Sequence, residues 1–384
     1  MKIKLLLLSL TALMFVTTGA EETTASRLQL PPEIYAVPGI ESNIYFDNVF
    51  LTVNPDNFVF DVTCAKGRND AKRWRFIPND DDVGTYPLEL KVSCDNGEVA
   101  SATSTLIVSP RDAGAGHNIS LLIIGDSLTD ASLYPAKIYN NFSTLQSPKL
   151  TMIGTNGPGG TPANGVAYEG YGGWTWETFL TKDIPTPLRG GQNTAPPYFR
   201  ASPFIINGIF DFSGYLQRNN NGIPPDFIVI MLGINDILTA DDDTIAQTVE
   251  NAMDDAQKII RMLRAAAPDA IIGIGLVTPG AQSQDAFGSN YTCGLTRWQY
   301  RKNQHFINSE MIRVFSAGSD KKLFLIPTNL NLDCENHFPT TEEPISADSS
   351  RQTVRQRNGV HPAEDGYNQI GNTIYCWLKY QLSR

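Results

Sequence analysis

The apolar positions of this 384-residue chain follow one rhythm up to about residue 109 and another beyond it. Within 27–109, short stretches at 43–53, 58–64, 88–94 and 99–108 alternate apolar with polar residues. A period of two puts one strand face on a core and the other in water. Asp95-Asn96-Gly97, between the last two stretches, carries residues that tolerate the positive φ of a tight hairpin. Several such strands in so short a span predict a small all-β sandwich. Pro110, Gly114 and Gly116 then mark 110–117 as a linker.

From 118 to 384 the pattern is different. Near-continuous apolar runs occur at 119–124, 150–153, 227–232, 270–276 and 323–326, as a parallel sheet covered on both faces requires. Between them the period becomes helical. Ile245, Val249, Ala252, Met253, Ala256, Ile260 and Leu263 form one stripe of a helix predicted over 244–266, with Pro268 after its end. Further helices are predicted over 298–315 and 364–381. Strands alternating with helices predict an α/β domain built on a three-layer, doubly wound parallel sheet.

Two segments stand outside this scheme. Residues 182–225 hold Pro185, Pro187, Pro196 and Pro197 among Tyr198, Phe199, Phe204, Phe210, Phe212 and Tyr215. A long loop of this kind is usually functional, and its aromatics speak against disorder, so it reads as a substrate-facing insertion, with an extra packing layer as the alternative. At the other end, Lys2 and Lys4 precede an apolar run over 5–16 and then Thr17-Thr18-Gly19-Ala20. That order of charged, apolar and small residues predicts an export signal over 1–20. The run is shorter than the ~20 residues of a membrane span. The mature chain is expected to start near Glu21, with no membrane span, in the bacterial periplasm, at the cell surface or outside the cell.

A net charge of −10 is the wrong sign for binding a phosphate backbone, so no nucleic-acid partner is expected. Export permits disulfides. Cys64 with Cys94, and Cys293 with Cys334, are candidate pairs, which leaves Cys376 over. None of the five has zinc-ligand spacing.

Candidate chemistry lies in the loops that follow the apolar strands. Ser127 ends the run Leu121 to Gly125-Asp126-Ser127, where an α/β sheet presents side chains at its rim. Gly170 stands in Glu169-Gly170-Tyr171-Gly172-Gly173-Trp174-Thr175, and Gly233-Ile234-Asn235-Asp236 follows a second strand. His361 precedes Pro362, which holds it out of helical geometry just before the last helix. Each block alone has a commoner explanation as a turn or a helix cap. Together, on one rim, they can supply a nucleophile, a base and oxyanion donors. No Gly-x-Ser-x-Gly elbow surrounds Ser127, which disfavours the α/β-hydrolase architecture.

These four blocks, in this order, resemble the SGNH (GDSL-type) hydrolase family over about 118–382. The resemblance implies a flavodoxin-like SGNH fold and ester hydrolysis through an acyl-serine, with no metal and no cofactor. It implies Ser127 as nucleophile and His361 as general base. The oxyanion donors would be the N–H of Ser127, the N–H of Gly170 and the side chain of Asn235, with Gly172 and Gly173 crowding the same loop. Trp174, Trp176 and Asp236, beside these blocks, are expected at the substrate. The Gly84-Thr85-Tyr86-Pro87-Leu88 stretch is similar to bacterial immunoglobulin-like modules, which gives the 27–109 sandwich that type and the role of a spacer.

One position departs from the family pattern. Three residues before the histidine, where an aspartate is usual, this chain has Asn358. Three arrangements can orient His361: the Asn358 carbonyl, a carboxylate from elsewhere (Asp333, Glu335, Glu364 or Asp365), or a backbone carbonyl in a Ser-His dyad. The first and third are preferred. The expected activity is an exported esterase acting on O-acyl groups, O-acetyl in particular, of an acylated carbohydrate or other small ester. The alternatives are a lipase or thioesterase, and a silent carbohydrate-binding surface protein.

Overall fold

The structure is a computed structural model describing residues 26–144, 146–183, 186–187, 199–291, 293–316, 318 and 320–384. The expected export signal and much of the 182–225 insertion lie outside the described residues. Seven N-terminal strands, β1 (Glu33–Ala36), β2 (Ser42–Tyr45), β3 (Val59–Cys64), β4 (Arg68–Asn69), β5 (Arg73–Phe76), β6 (Gly84–Cys94) and β7 (Gly97–Val108), make two sheets. One runs β1-β7-β6-β3 and the other β2-β5-β4. Ile44 and Trp74 from the second share an apolar cluster with Leu90 and Leu106 from the first. The hairpin between β6 and β7 turns through Asp95-Asn96, with Gly97 at φ +106°. The strand expected over 43–53 stops at Tyr45. Phe46, Val49 and Phe50 stand at i, i+3 and i+4, and a single helical turn, α1 (Phe46–Val49), buries all three.

Neither expected cysteine pair forms. In the β3–β6 register Cys64 lies opposite Leu88, while Cys94 lies at the far end of β6, beyond Ser93 opposite Val59. Cys334 is buried with its thiol toward Asn48, whereas Cys293 is exposed.

The N-terminal sheets are bonded to the α/β part. Asp47 receives Arg297 at 2.7 Å and Arg301 at 2.6 Å from the α/β part. The side chains of Asn43 and Asn48 donate to Asn331 Oδ1 and Leu332 O, both at 2.8 Å. The 110–117 linker is held as well: the carbonyl of buried Ala113 accepts from Lys379 Nζ at 2.9 Å.

Beyond the linker come β8 (Asn118–Gly125), α2 (Ser127–Asp130), α3 (Leu133–Phe142), β9 (Lys149–Ile153), β10 (Glu169–Gly170) and α4 (Trp176–Thr181). Two short ribbons follow, β11 (Thr186–Pro187) with β12 (Phe199–Arg200) and β13 (Ile205–Ile206) with β14 (Ile209–Phe210). Then come α5 (Phe212–Asn219), β15 (Phe227–Met231), α6 (Ile234–Ile237), α7 (Ile245–Ala266), β16 (Ile271–Gly275), α8 (Gln284–Asn290) and α9 (Arg297–Ser316). The chain closes with β17 (Leu323–Ile326), a hairpin of β18 (Thr340–Pro344) and β19 (Gln352–Gln356), and α10 (Glu364–Leu382).

The five expected strands are all present in one six-stranded parallel sheet. β9 and β10 pair with one side of β8, and β15, β16 and β17 follow on the other. All seven residues of the predicted α7 stripe are buried. After β8 the chain first builds to one side and then, from β15, to the other. The crevice outside the ends of β8 and β15 is therefore the topological switch point, where such sheets bind ligands. No helix among the described residues is long and apolar enough to cross a membrane.

Candidate active site

Ser127 is the first residue of α2, directly after β8. A side chain on Gly125 would collide with Thr129, so the strand can turn this sharply into a helix only with glycine there. Asp126 caps the turn, its Oδ1 accepting from Leu128 N–H at 2.9 Å. At the first helical position, Ser127 N–H has no partner within its own helix.

His361 meets the serine from the loop between β19 and α10. Its Nε2 lies 2.8 Å from Ser127 Oγ, and its Nδ1 lies 3.2 Å from Asn358 Oδ1. The same Oδ1 accepts the backbone N–H groups of Val360 at 3.2 Å and His361 at 2.9 Å. Two backbone donors fix which end of the amide faces the ring, so the ring nitrogen there must be the donor. Nδ1 carries the proton and Nε2 presents a lone pair to the serine hydroxyl. Asn358 thus selects the tautomer a base needs. The alternative carboxylates are not used: Glu335 pairs with Lys72, and Asp333 accepts from the backbone and side chain of Asn336.

The glycine loop differs from expectation. Gly170 lies inside the β8–β10 pairing, its carbonyl accepting from Asn156 Nδ2 at 2.6 Å, and a Cβ there would strike Thr129. Its role is close packing. The loop reaches the serine two residues later, where a Cβ on Gly172 would stand 3.9 Å from Ser127 Cβ. Tyr171 to Trp174 then form a turn closed by Trp174 N–H on Tyr171 O at 3.3 Å, with Gly173 at φ +80°. Gly172 N–H is engaged by Asp130 Oδ2 at 3.3 Å. Gly173 N–H has no acceptor among the described residues. Asn235, at the start of α6, donates from Nδ2 to Trp174 O at 3.0 Å, and an amide nitrogen has a second hydrogen to give.

Trp174 and Trp176 do not face the substrate. They are 1% and 0% exposed, and Trp174 packs on Tyr171 and Phe179 with centroids at 4.2 and 4.8 Å. Asp236 accepts from Trp176 N–H at 3.3 Å, tying the loop after β15 to the first turn of α4. Three aromatics of the insertion belong to the core: Phe204, Phe212 and Tyr215 are buried against one another and Phe179. Sequence reasoning missed Asn156, which bridges Gly170 O and Asp130 Oδ1. It sits in a loop whose glycines signal only a turn.

The electrostatics divide sharply. Burial, further raised by nearby Asp236, pushes the Asp126 carboxyl up to about 7, although Leu128 N–H opposes it. Burial also pushes Asp236 up to about 7 against its bond from Trp176. The outer oxygen of each has no partner within the described residues. Burial lowers His361 below its ordinary 6.5, which keeps the ring neutral and basic near pH 7.

This arrangement can carry out acyl transfer. A family 3 carbohydrate esterase from Clostridium thermocellum is similar in structure at 17% identity, covering 70% of this chain and 100% of that one, with a TM-score of 0.39. A family two carbohydrate esterase from the same organism, in complex with cellohexaose, is 15% identical over 93% and 98%, with a TM-score of 0.35. A carbohydrate acetylesterase family member from Sinorhizobium meliloti is 16% identical over 69% and 100%, at 0.39. No curated protein matches the chain. The sequence profile described as GDSL-like lipase/acylhydrolase matches residues 121–374, so the chain belongs to that family of ester hydrolases.

Proposed function

We propose that the protein is an exported serine esterase that removes O-acyl groups, O-acetyl in particular, from carbohydrate. The observation that carries the chemistry is the 2.8 Å contact of His361 Nε2 with Ser127 Oγ, with Asn358 fixing the tautomer. In the reaction Ser127 Oγ attacks the ester carbonyl carbon while Nε2 takes its proton. The tetrahedral oxyanion is received by the N–H groups of Ser127 and Gly173 and by Asn235 Nδ2. As it collapses, the carbonyl re-forms, and the alcohol leaves with the proton from His361. Water then attacks the acyl-serine, His361 again acting as base, and the carboxylic acid is released.

The N-terminal sheets we read as an immunoglobulin-like module, and 1–20, by its charged, apolar and small-residue order, as an export signal. Acetate release from acetylated polysaccharides, run beside p-nitrophenyl esters of rising chain length, tests the reading. Serine-dependent release with an acetyl preference supports it. Preference for long acyl chains, or inert polysaccharides beside active aryl esters, refutes it.

A further inference from the structure

A cleft of about 690 Å³ separates the N-terminal sheets from the α/β domain, a volume within the ~300–1,000 Å³ of small-ligand sites. Phe58, Phe60 and the 53–56 and 71–73 segments wall one side, and Gln282 with 333–336 the other. We propose that this cleft is a second carbohydrate site, holding a neutral, unesterified stretch of the glycan whose ester is cleaved at Ser127. The inference rests on the carbohydrate-esterase reading and names where the rest of the polymer binds.

Three features of the cleft select that ligand. Most charges of its walls already have partners: Asp47 has Arg297 and Arg301, Glu335 has Lys72 at 2.6 Å, Arg73 has Glu41 at 3.2 Å, Asp70 has Arg68 at 3.0 Å, and Asp333 accepts from Tyr45 and Asn336, while Asp56 is exposed at the rim. An ionic ligand would have to break such pairs, whereas a hydroxyl can add to their free lone pairs and N–H groups. Next, Phe58 and Phe60 are half-buried and backed by other rings. Phe60 stacks on Phe46 at 4.8 Å, and Phe58 meets Phe50 edge-on at 4.9 Å. The Arg27 guanidinium lies over Phe58 at 5.2 Å, so Phe60 is the ring that suits the apolar face of a pyranose, and being held in advance it loses little freedom on binding.

The third feature is position. Gln356 Nε2 donates to both Cys334 O and Glu335 O at 2.8 Å, and Ala281 N–H donates to Gly359 O at 2.9 Å. The α/β wall of the cleft is thus bonded directly to the segment that carries Asn358 and His361. The gap is also set in advance, because Lys72–Glu335 and the arginines on Asp47 clamp its two walls.

The test uses the full chain and fills the cleft from an exposed position with Ala71→Trp; Phe60→Ala removes the stacking ring and should weaken binding in the same direction. Calorimetry is run on the Ser127→Ala background with unesterified β-linked xylo-, gluco- and mannohexaose. At least one hexasaccharide is expected to bind, and Ala71→Trp to weaken it about tenfold or more. On an active background, KM for an acetylated polysaccharide should rise by a similar factor, with kcat/KM for p-nitrophenyl acetate unchanged. If none of the three binds, or Ala71→Trp binds as well as its parent, the cleft is not a glycan site. The two readings fail separately. Polysaccharide turnover with KM unmoved by Ala71→Trp overturns the cleft alone, whereas aryl-ester turnover without any glycan deacetylation overturns the carbohydrate reading and the cleft with it.

Discussion

The two sides of Ser127 are built on different principles. On the rim, His361 and Asn358 are half-buried, carry no formal charge at neutral pH and are placed by hydrogen bonds to backbone N–H groups. Behind the serine, Asp126 and Asp236 are buried carboxyls pushed up to about 7, each with one oxygen unpartnered. The acidic groups of the site therefore hold its loops, Asp126 at the start of α2 and Asp236 at the start of α4. The histidine is oriented without a charge. Exchanging the usual aspartate for Asn358 keeps the tautomer and gives up electrostatic support for the imidazolium that forms in turnover.

Several substitutions would break that comparison. Ser127→Ala should have the largest effect, lowering turnover roughly 10⁴-fold or more with unfolding temperature little changed. Rates near wild type would remove Ser127 as nucleophile. Asn358→Ala leaves Nδ1 and two backbone N–H groups without their acceptor and should cost about 10- to 100-fold in kcat. An unchanged kcat would assign the orienting role to another group. The oxyanion donor on the glycine turn can be tested by Gly173→Ala, which strains a φ of +80° and should lower kcat far more than it raises KM.

The buried side predicts a stability effect of opposite sign to the usual carboxylate. Asp126 and Asp236 hold protons more tightly folded than unfolded, where the ordinary value is 3.8. The stability they contribute is whole below that value and is lost as pH rises through about 7. Asp236→Asn should therefore gain on wild type as pH rises, on the order of a few kcal/mol at the upper end. Denaturant melts at about pH 5 and 8 measure it. Parallel curves for the two proteins would mean that Asp236 titrates normally.

The parallel sheet and the rim residues were legible because their signals are local. A strand buried on both faces must be apolar throughout, and a loop after it must stand at the rim, which placed Ser127 and Asn235, while Pro362 kept His361 out of the last helix. What was not legible depends on how a loop folds back. Nothing in Gly170-Tyr171-Gly172-Gly173 says which N–H faces the serine; that follows from Gly170 packing on Thr129 and the turn beyond it. Trp174 and Trp176 were expected at the substrate, yet Tyr171 and Phe179 draw Trp174 inward and Trp176 is buried at the start of α4. In 43–53 a helical turn hid inside an alternating run: Phe46 and Phe50 share a face at either period, and only Val49 breaks the alternation.

The most direct test of the neutral, hydrogen-bonded histidine is the pH profile of kcat/KM for wild type beside Asn358→Asp. The acid limb of the wild-type profile should fall below the ordinary imidazole value of 6.5, since burial alone perturbs His361. A carboxylate at 358 should stabilise the imidazolium, moving that limb up by about one pH unit with kcat held or raised. Superimposed limbs would contradict the account, because they would mean that residue 358 does not contact the base in the working enzyme.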